Sequence, residues 1–205
     1  MELRAHDLLR LVPDARVLGD LPIWATDSLH QTRTVVVRRA AAPNRLVSVG
    51  IRGSFRGQRC DSLFLRIEDV ATLYTPESLI RTGNWRQFTR SPRPFPAWQA
   101  LEQVNDFAER TGLVYGPIGS VGFQLATGVD SVSQSSDLDV IVRLATAPNR
   151  RLLQDFYEAN RFHAAPVDVV LEGLVGAVSL TEYLQRPDRV LIKTQMGPRI
   201  GAFVW

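Results

Sequence analysis

The feature that most constrains this chain is the segment Gly116–Val142, which reads GPIGSVGFQLATGVDSVSQSSDLDVIV. Its last residues place Asp137 and Asp139 at the head of an apolar run that is typical of a strand. Residues i and i+2 of a strand point to the same face, so the two carboxylates lie side by side, away from Leu138 and Val140. Like charges this close repel each other, and a divalent cation between them removes the repulsion. The segment therefore predicts a metal site.

Length and composition set the broad class. The chain has 205 residues, of which 45% are hydrophobic and 22% are charged, and this is typical of one globular domain or two small ones. No apolar run reaches membrane length, because Glu172 interrupts the longest candidate, VDVVLEGLVGAV, and the N-terminus lacks the apolar stretch of a signal peptide. The single cysteine, Cys60, forms no internal disulfide. We therefore expect a cytoplasmic protein with a reduced thiol and no membrane partner.

The charges divide unevenly between the two halves of the sequence. Residues 1–99 contain 15 Arg against 9 acidic residues, a balance of +6, whereas residues 100–205 contain 9 basic and 12 acidic residues, a balance of −3. The chain contains 23 Arg and one Lys, a preference that codon usage in a GC-rich genome would largely explain. The basic half suits an anionic ligand, because Arg side chains match phosphate oxygens. Interleaved aromatic and basic residues are missing from the sequence, so we expect no nucleic-acid partner.

The first half of the sequence predicts mainly strands. The stretches TRTVVVRRA, RLVSVGIRG and DSLFLRI are rich in β-branched and apolar residues, and TPESLI predicts a helix that begins with Thr75 as its N-cap. The stretch RSPRPFPAW contains three prolines and indicates a boundary. We therefore expect a basic, β-containing N-terminal domain over residues 1–90 and a second domain over residues 91–205.

The second half predicts alternating helices and strands. Apolar residues from Trp98 recur at helical spacing as far as Gly112, and they are followed by a short strand, a helix that begins at Gly-Ser, and the Asp-x-Asp strand. The stretches NRRLLQDFYEANRF and SLTEYLQR predict further helices, with PVDVVLE between them as a strand that carries Asp168. A hairpin around Met196 ends the chain. This order resembles the nucleotidyltransferase superfamily of DNA polymerase β type. The resemblance implies an α+β protein whose C-terminal domain contains a mixed sheet.

The superfamily hallmark is a Gly-Ser turn, an Asp-x-Asp strand and a third carboxylate on a neighbouring strand. Here these are Gly119 with Ser120, Asp137 with Asp139, and Asp168. Backbone N–H groups at the start of a helix can bind phosphates. Carboxylates can hold one or two Mg²⁺ or Mn²⁺ ions, and one of them can also accept the proton of an attacking hydroxyl. The residues therefore predict metal-assisted chemistry on a polyphosphate, with all three aspartates as catalytic and metal-binding groups.

Longer blocks narrow the resemblance to one family. GSVGFQLATG followed by SSDLDVIVR is similar to the malonate decarboxylase holo-acyl-carrier-protein synthases, also called phosphoribosyl-dephospho-CoA transferases. That family commonly has Glu where this chain has Gln124, a change that adds no catalytic group. Further similar pieces are HDLL (residues 6–9), VGIRG, GQR, TPE (residues 75–77) and VDVVLEGLVGAVSLTEYL. The resemblance therefore extends over nearly the whole chain.

The resemblance implies a particular reaction. Members of the family transfer the phosphoribosyl-dephospho-CoA group from triphosphoribosyl-dephospho-CoA to a serine of the acyl-carrier subunit of malonate decarboxylase, and they release pyrophosphate. Two alternatives stay open. One is another nucleotidyltransferase that attaches AMP to a small molecule or a protein. The other is a binding module that retains the nucleotidyltransferase fold without activity.

Several basic residues are further candidates for substrate binding. Arg52, Arg56 and Arg59 lie in the glycine-interrupted stretch IRGSFRGQR, which we expect to bind either the donor or the carrier protein. Lys193, on the terminal hairpin, is a candidate to neutralise the leaving pyrophosphate.

The N-terminal HDLL block offers one more candidate. His6, beside Asp7, is a candidate to contribute to the active site, but an alternative reading makes Asp7 the cap of a helix over LLRL.

Overall fold

The computed structural model of the protein describes residues 2–53 and 57–205, which form two compact units. The first unit ends at Thr75 and the second begins at Pro76. Each unit has its own sheet and its own hydrophobic core. The prediction of an α+β protein is confirmed.

The N-terminal unit is an antiparallel sheet with one helix on its core face. Its strands lie in the order β4-β3-β2-β1-β5. The elements are β1 (Leu8–Leu11), α1 (Ile23–Thr32), β2 (Thr34–Val37), β3 (Leu46–Arg52), β4 (Arg59–Arg66) and β5 (Val70–Tyr74). Residues that alternate along the strands, such as Leu9, Val35 and Val49, are fully buried and form the core with Ala25 of α1.

The three predicted strands of this unit are confirmed as β2, β3 and β4, but the reading of LLRL as a capped helix is wrong. LLRL is strand β1, which pairs with β2 and β5 on its two sides. Asp7 is 1% exposed, and its carboxylate accepts a hydrogen bond from the backbone N–H of Arg4, at 2.9 Å, so it caps a turn before the strand. Pairing on both sides outweighs the helix propensity of leucine and arginine.

The C-terminal unit is a six-stranded mixed sheet with helices. Its strands lie in the order β11-β10-β9-β8-β7-β6, and only β7 and β8 are parallel. The helices are α2 (Pro76–Arg81), α3 (Arg86–Thr89), α4 (Pro96–Thr111), α5 (Gly119–Thr127), α6 (Arg150–Ala159) and α7 (Leu180–Gln185). The strands are β6 (Gly116–Pro117), β7 (Leu138–Arg143), β8 (Val167–Gly173), β9 (Gly176–Ser179), β10 (Val190–Thr194) and β11 (Gly197–Gly201). The predicted order of elements is confirmed, and α3 and β9 are additions to it.

Helices α4 and α6 build the core on one face of this sheet. Helix α4 starts with Pro96 in its first turn and ends where Gly112 takes a left-handed φ of 73°. Its buried face contains Trp98, Leu101 and Val104, which pack in one cluster with Val140 of β7. The other face of β7 carries Asp139 and Arg143, with the buried Ile141 between them.

The boundary between the units lies before the proline-rich stretch rather than at residues 90 and 91. Trp85 is 2% exposed in the core of the C-terminal unit, and its Nε1 donates a hydrogen bond to the carbonyl of Ile80 at 3.2 Å. Phe88 stacks on Trp98, with ring centroids 4.4 Å apart. These aromatic contacts join residues 76–90 to the C-terminal unit, so the prolines lie inside it, at the entry to α4.

Candidate active site

The Asp-x-Asp motif lies at the start of β7. Asp139 is the second residue of the strand, and Asp137 precedes the strand directly. Leu138 and Val140 are both fully buried in the core, so Asp139 points to the opposite face. The backbone N–H of Leu138 donates to the carbonyl of Pro166 at 2.9 Å, so strand pairing starts at the motif itself.

The third carboxylate lies directly beside the second. Strands β7 and β8 are parallel, and their register places Asp139 opposite Asp168. Adjacent strands are about 4.8 Å apart, and paired residues of parallel strands point to the same face. Asp168 is exposed and Asp139 is half-buried. The structure therefore brings two of the three predicted carboxylates side by side, with Asp137 two residues away along the chain.

The Gly-Ser turn packs against Asp139. Gly119 begins α5 with a left-handed φ of 61°, and a Cβ atom at this position would collide with the Asp139 carboxylate. The backbone N–H of Ile118 donates to the carbonyl of Asp139 at 2.9 Å, and Pro117 pairs with Val140. The start of α5, where backbone N–H groups lack helical partners, is thus fixed beside the carboxylates.

Gln124 holds the segment that joins α5 to the Asp-x-Asp strand. Its side chain is 5% exposed, and its Oε1 accepts hydrogen bonds from the backbone N–H groups of Ser131, at 3.0 Å, and Val132, at 2.9 Å. Its Nε2 donates to Asp130 at 3.2 Å, and the Ser131 hydroxyl donates to the carbonyl of Ser120 at 2.8 Å. The sequence analysis did not predict this role, because it considered Gln124 only as a catalytic group. The available signal was the amide, which donates and accepts where a carboxylate only accepts.

A buried ion network lies further along the same face, and sequence reasoning missed it as well. Arg143 pairs with Glu172 through its Nε, at 2.9 Å, and with Glu77 through its Nη1, at 3.3 Å. The side chains of Arg143 and Glu172 are 7% and 3% exposed, and the two residues are opposite each other in the β7–β8 register. Glu77 belongs to the TPE block, so the network joins α2 to the sheet.

Lys193 lies on the same sheet but apart from the carboxylates. It is exposed on β10, opposite Ala177 of β9, which in turn is opposite Glu172 of β8. Asp168 lies four residues before Glu172, so strand geometry separates the Cα atoms of Lys193 and Asp168 by about 16 Å. A lysine at that distance does not reach an atom held between the aspartates.

The remaining candidates belong to the N-terminal unit. Arg52 and Arg59 are directly opposite each other on β3 and β4. Arg56 lies outside the described residues. His6 has a left-handed φ of 71°, and its backbone N–H donates to the carbonyl of Val37 at 2.9 Å.

The metal prediction can be compared with the carboxylate geometry. Within residues 2–53 and 57–205, no group of three or more His, Cys, Asp or Glu side chains is arranged to hold a metal ion by itself. The Asp139–Asp168 pair offers oxygen ligands of the type Mg²⁺ prefers, and Mg²⁺ is usually held by one or two carboxylates with substrate phosphates and water. The side chains therefore fit an ion that is shared with a phosphorylated substrate, and the metal stays a prediction.

Comparisons with known proteins assign the family. The phosphoribosyl-dephospho-CoA transferase C-terminal domain model matches residues 85–202, and the N-terminal domain model of the same family matches residues 4–76. A phosphoribosyl-dephospho-CoA transferase of Pseudomonas putida is 39% identical over 98% of this chain and 95% of its own length. Those of Pseudomonas syringae and Azotobacter vinelandii are 38% and 33% identical over 98% of this chain, and over 92% and 93% of their own lengths. No solved structure matches.

These matches define the protein as a transferase. The chain belongs to the phosphoribosyl-dephospho-CoA transferase family, and the resemblance inferred from its sequence blocks is confirmed. None of the matches favours AMP transfer or an inactive binding module. None of the helices in the described parts of the chain is long and apolar enough to cross a membrane.

Proposed function

We propose that this enzyme transfers the phosphoribosyl-dephospho-CoA group from triphosphoribosyl-dephospho-CoA to a serine of the acyl-carrier subunit of malonate decarboxylase. The serine oxygen forms a bond to the phosphorus nearest the ribose, and the bond from that phosphorus to the bridging oxygen of pyrophosphate breaks. The serine proton passes to a base, and pyrophosphate leaves. We place the reaction in the cytoplasm, where Cys60 stays a free thiol.

One observation carries the proposal. Asp139 and Asp168 lie directly opposite each other on parallel strands, and the start of α5 packs against Asp139 at Gly119. Phosphoryl transfer depends mainly on positioning and on stabilising charge, and this arrangement supplies negative ligands beside the N–H groups of the first turn of a helix.

Each residue has a role in this proposal. Asp137, Asp139 and Asp168 would hold Mg²⁺, which when bound neutralises charge on the phosphate oxygens. The backbone at Gly119 and Ser120 binds the terminal phosphates, which then leave as pyrophosphate. Asp168, the exposed member of the pair, accepts the proton of the serine hydroxyl.

We assign Arg52, Arg56 and Arg59 to the binding of an anionic group of the donor. Lys193 contacts a part of the substrates that lies away from the reacting phosphorus, in line with its distance from Asp168.

The test uses the purified full chain with Mg²⁺, the donor and the unmodified carrier subunit. Intact-protein mass measurement should show the carrier gaining one phosphoribosyl-dephospho-CoA group. Asp139→Asn should greatly slow this gain, and Asp106→Asn, on an exposed position of α4, serves as the matched control. A parallel reaction with ATP examines AMP transfer. An unmodified carrier in the first reaction, or AMP on any product of the second, would refute the proposal.

A further inference from the structure

The strand register of the N-terminal unit gathers three arginines into one row. Arg52 and Arg59 are directly opposite each other on β3 and β4, and Arg10 is opposite Thr34 on β1 and β2. Strands β2 and β3 pair at Val36–Gly50 and Val37–Val49. Continuing this antiparallel register by two residues brings Thr34 beside Arg52. We call Arg10, Arg52 and Arg59 the arginine row. Arg10 has no place in the function proposed above.

The arginine row points away from the core of its unit. Leu9 and Leu11, which flank Arg10, are 0% and 4% exposed in the core, and Ile51, which precedes Arg52, is 2% exposed. Neighbouring residues of a strand point to opposite faces, so the three arginines share the face opposite this core. Arg10 and Arg59 are exposed, and Arg52 is half-buried.

The row concentrates positive charge. Arg52 and Arg59 are about 5 Å apart at Cα, and Arg10 is two strand spacings, or about 10 Å, from Arg52. Like charges directly opposite each other on neighbouring strands are destabilising. Within residues 2–53 and 57–205, the side chains of Arg10 and Arg59 make no ion pair, in contrast to Arg38, which pairs with Asp61 at 3.0 Å. An arrangement of this kind is favourable once an anion with more than one charge binds to it.

We infer that the arginine row binds the diphosphate of the dephospho-CoA part of the donor, with Arg10 as a further binding residue. This inference rests on the proposed function, which names triphosphoribosyl-dephospho-CoA as the donor. The anionic group of the dephospho-CoA part is the diphosphate that links adenosine to pantetheine. A compact group with two adjacent phosphates matches guanidinium groups at strand spacing better than the broad surface of a carrier protein does, because a protein interface needs about 800 Å² on each partner.

The test measures binding of dephospho-CoA to the full chain by calorimetry, in EDTA. Dephospho-CoA lacks the triphosphate, and EDTA removes the divalent ions that would draw phosphates to the aspartates. Arg10→Ala and Arg59→Ala should each weaken binding about tenfold or more, the usual effect of losing a charge-assisted hydrogen bond. Arg66→Ala is the matched control, because Arg66 is also exposed on β4 but opposite Leu46, at the other end of the strand.

Two further measurements keep the inference open to refutation. Arg10→Gln retains the side-chain stem, and it replaces Arg10→Ala if that variant fails to fold. Pantetheine, which has no phosphate, should bind the Arg10 variants and the parent equally. Unchanged dephospho-CoA affinity in the Arg10 variants, an equal loss in Arg66→Ala, or an equal loss for pantetheine would each overturn the assignment.

The outcome is separable from that of the proposed function. If dephospho-CoA binding depends on the arginines but the carrier subunit is not modified, the proposed reaction is refuted. Binding of the diphosphate by the arginine row is then supported. If the unmutated enzyme modifies the carrier and the Arg10 variants keep their affinity for dephospho-CoA, the proposed reaction is supported. The assignment of the arginine row to the diphosphate is then refuted.

Discussion

Replacing Gly119 with alanine tests the geometry on which the active site rests. Gly119 has a φ of 61°, and a Cβ there would collide with the carboxylate of Asp139. Two other glycines serve as controls, because they show the destabilisation that a left-handed backbone alone causes in an alanine variant. Gly112 and Gly128 have φ values of 73° and 74°, and a Cβ on either would have no heavy atom within 4 Å.

The expected magnitudes follow from these environments. Alanine in a left-handed conformation costs about 1–2 kcal/mol, so Gly112→Ala and Gly128→Ala should lower the free energy of unfolding by about that amount. Gly119→Ala carries the same cost and, in addition, about 1–3 kcal/mol because the Cβ forces the carboxylate to move. Thermal unfolding should show the difference, since 1 kcal/mol corresponds to about 2–8 °C over this range of domain sizes.

The assay pairs melting with carrier modification. Gly119→Ala should lose most transfer, because Asp139 is displaced, whereas Gly112→Ala should retain it. A double-mutant cycle with Asp139→Ala isolates the contact, and a coupling of about 1–3 kcal/mol is expected, because without the carboxylate the new Cβ has room. If Gly119→Ala and Gly112→Ala have the same melting temperature and the cycle gives no coupling, the Asp139 carboxylate does not lie against this turn. That result would refute the proposed geometry of the site.

Three more predictions concern catalysis, stability and pH. Asp139→Asn should lower the maximal rate of transfer far more than it changes the Michaelis constant of the donor, because the lost charge acts mainly on the transition state; an altered Michaelis constant alone would contradict this. Arg143→Ala should lower the free energy of unfolding by about 3–5 kcal/mol in denaturant titrations, because Glu172 stays buried without its partner, whereas Arg151→Ala, in an exposed pair, should cost at most about 1 kcal/mol. Burial lowers the pKa of His163, so the unfolded chain binds the proton more readily, and the free energy of unfolding should fall as the pH drops below about 6.5; His163→Gln should flatten this slope, and an unchanged slope would assign it to other groups.

The C-terminal unit was predictable because its signals are local and agree with each other. Proline begins α4 and glycine ends it, and β7 carries an unbroken apolar face. Asn149 caps α6, because its side chain accepts hydrogen bonds from the backbone N–H groups of Arg151 and Leu152. The N-terminal unit was less predictable. Strand β1 has only four residues and reads equally well as a helix, and the apolar residues of α1 crowd into its first turn.

The contacts that shape the site were beyond the sequence because they depend on register. Nothing in the spacing of Asp139 and Asp168 fixes how β7 and β8 align, and a shift of one residue would turn one carboxylate to the core face. The same holds for the arginine row, in which Arg10 and Arg52 are far apart in sequence. Composition indicated a basic half, and only the pairing of four strands shows which arginines share a face.

The Gly-Ser turn shows how one residue can satisfy two demands. A residue without a Cβ lets phosphates approach the backbone N–H groups of the proposed phosphate site, and the same missing Cβ leaves room for Asp139. In the proposed reaction these demands are coupled, because the metal that Asp139 would hold and the N–H groups at the start of α5 would act on the same triphosphate. Ser120 is 6% exposed, and its carbonyl accepts a hydrogen bond from the Ser131 hydroxyl, so Ser120 also anchors the linking segment. A Gly119 variant can therefore lose transfer in two ways, by displacement of the Asp139 carboxylate or by obstruction of the phosphates. The double-mutant cycle with Asp139→Ala distinguishes the two.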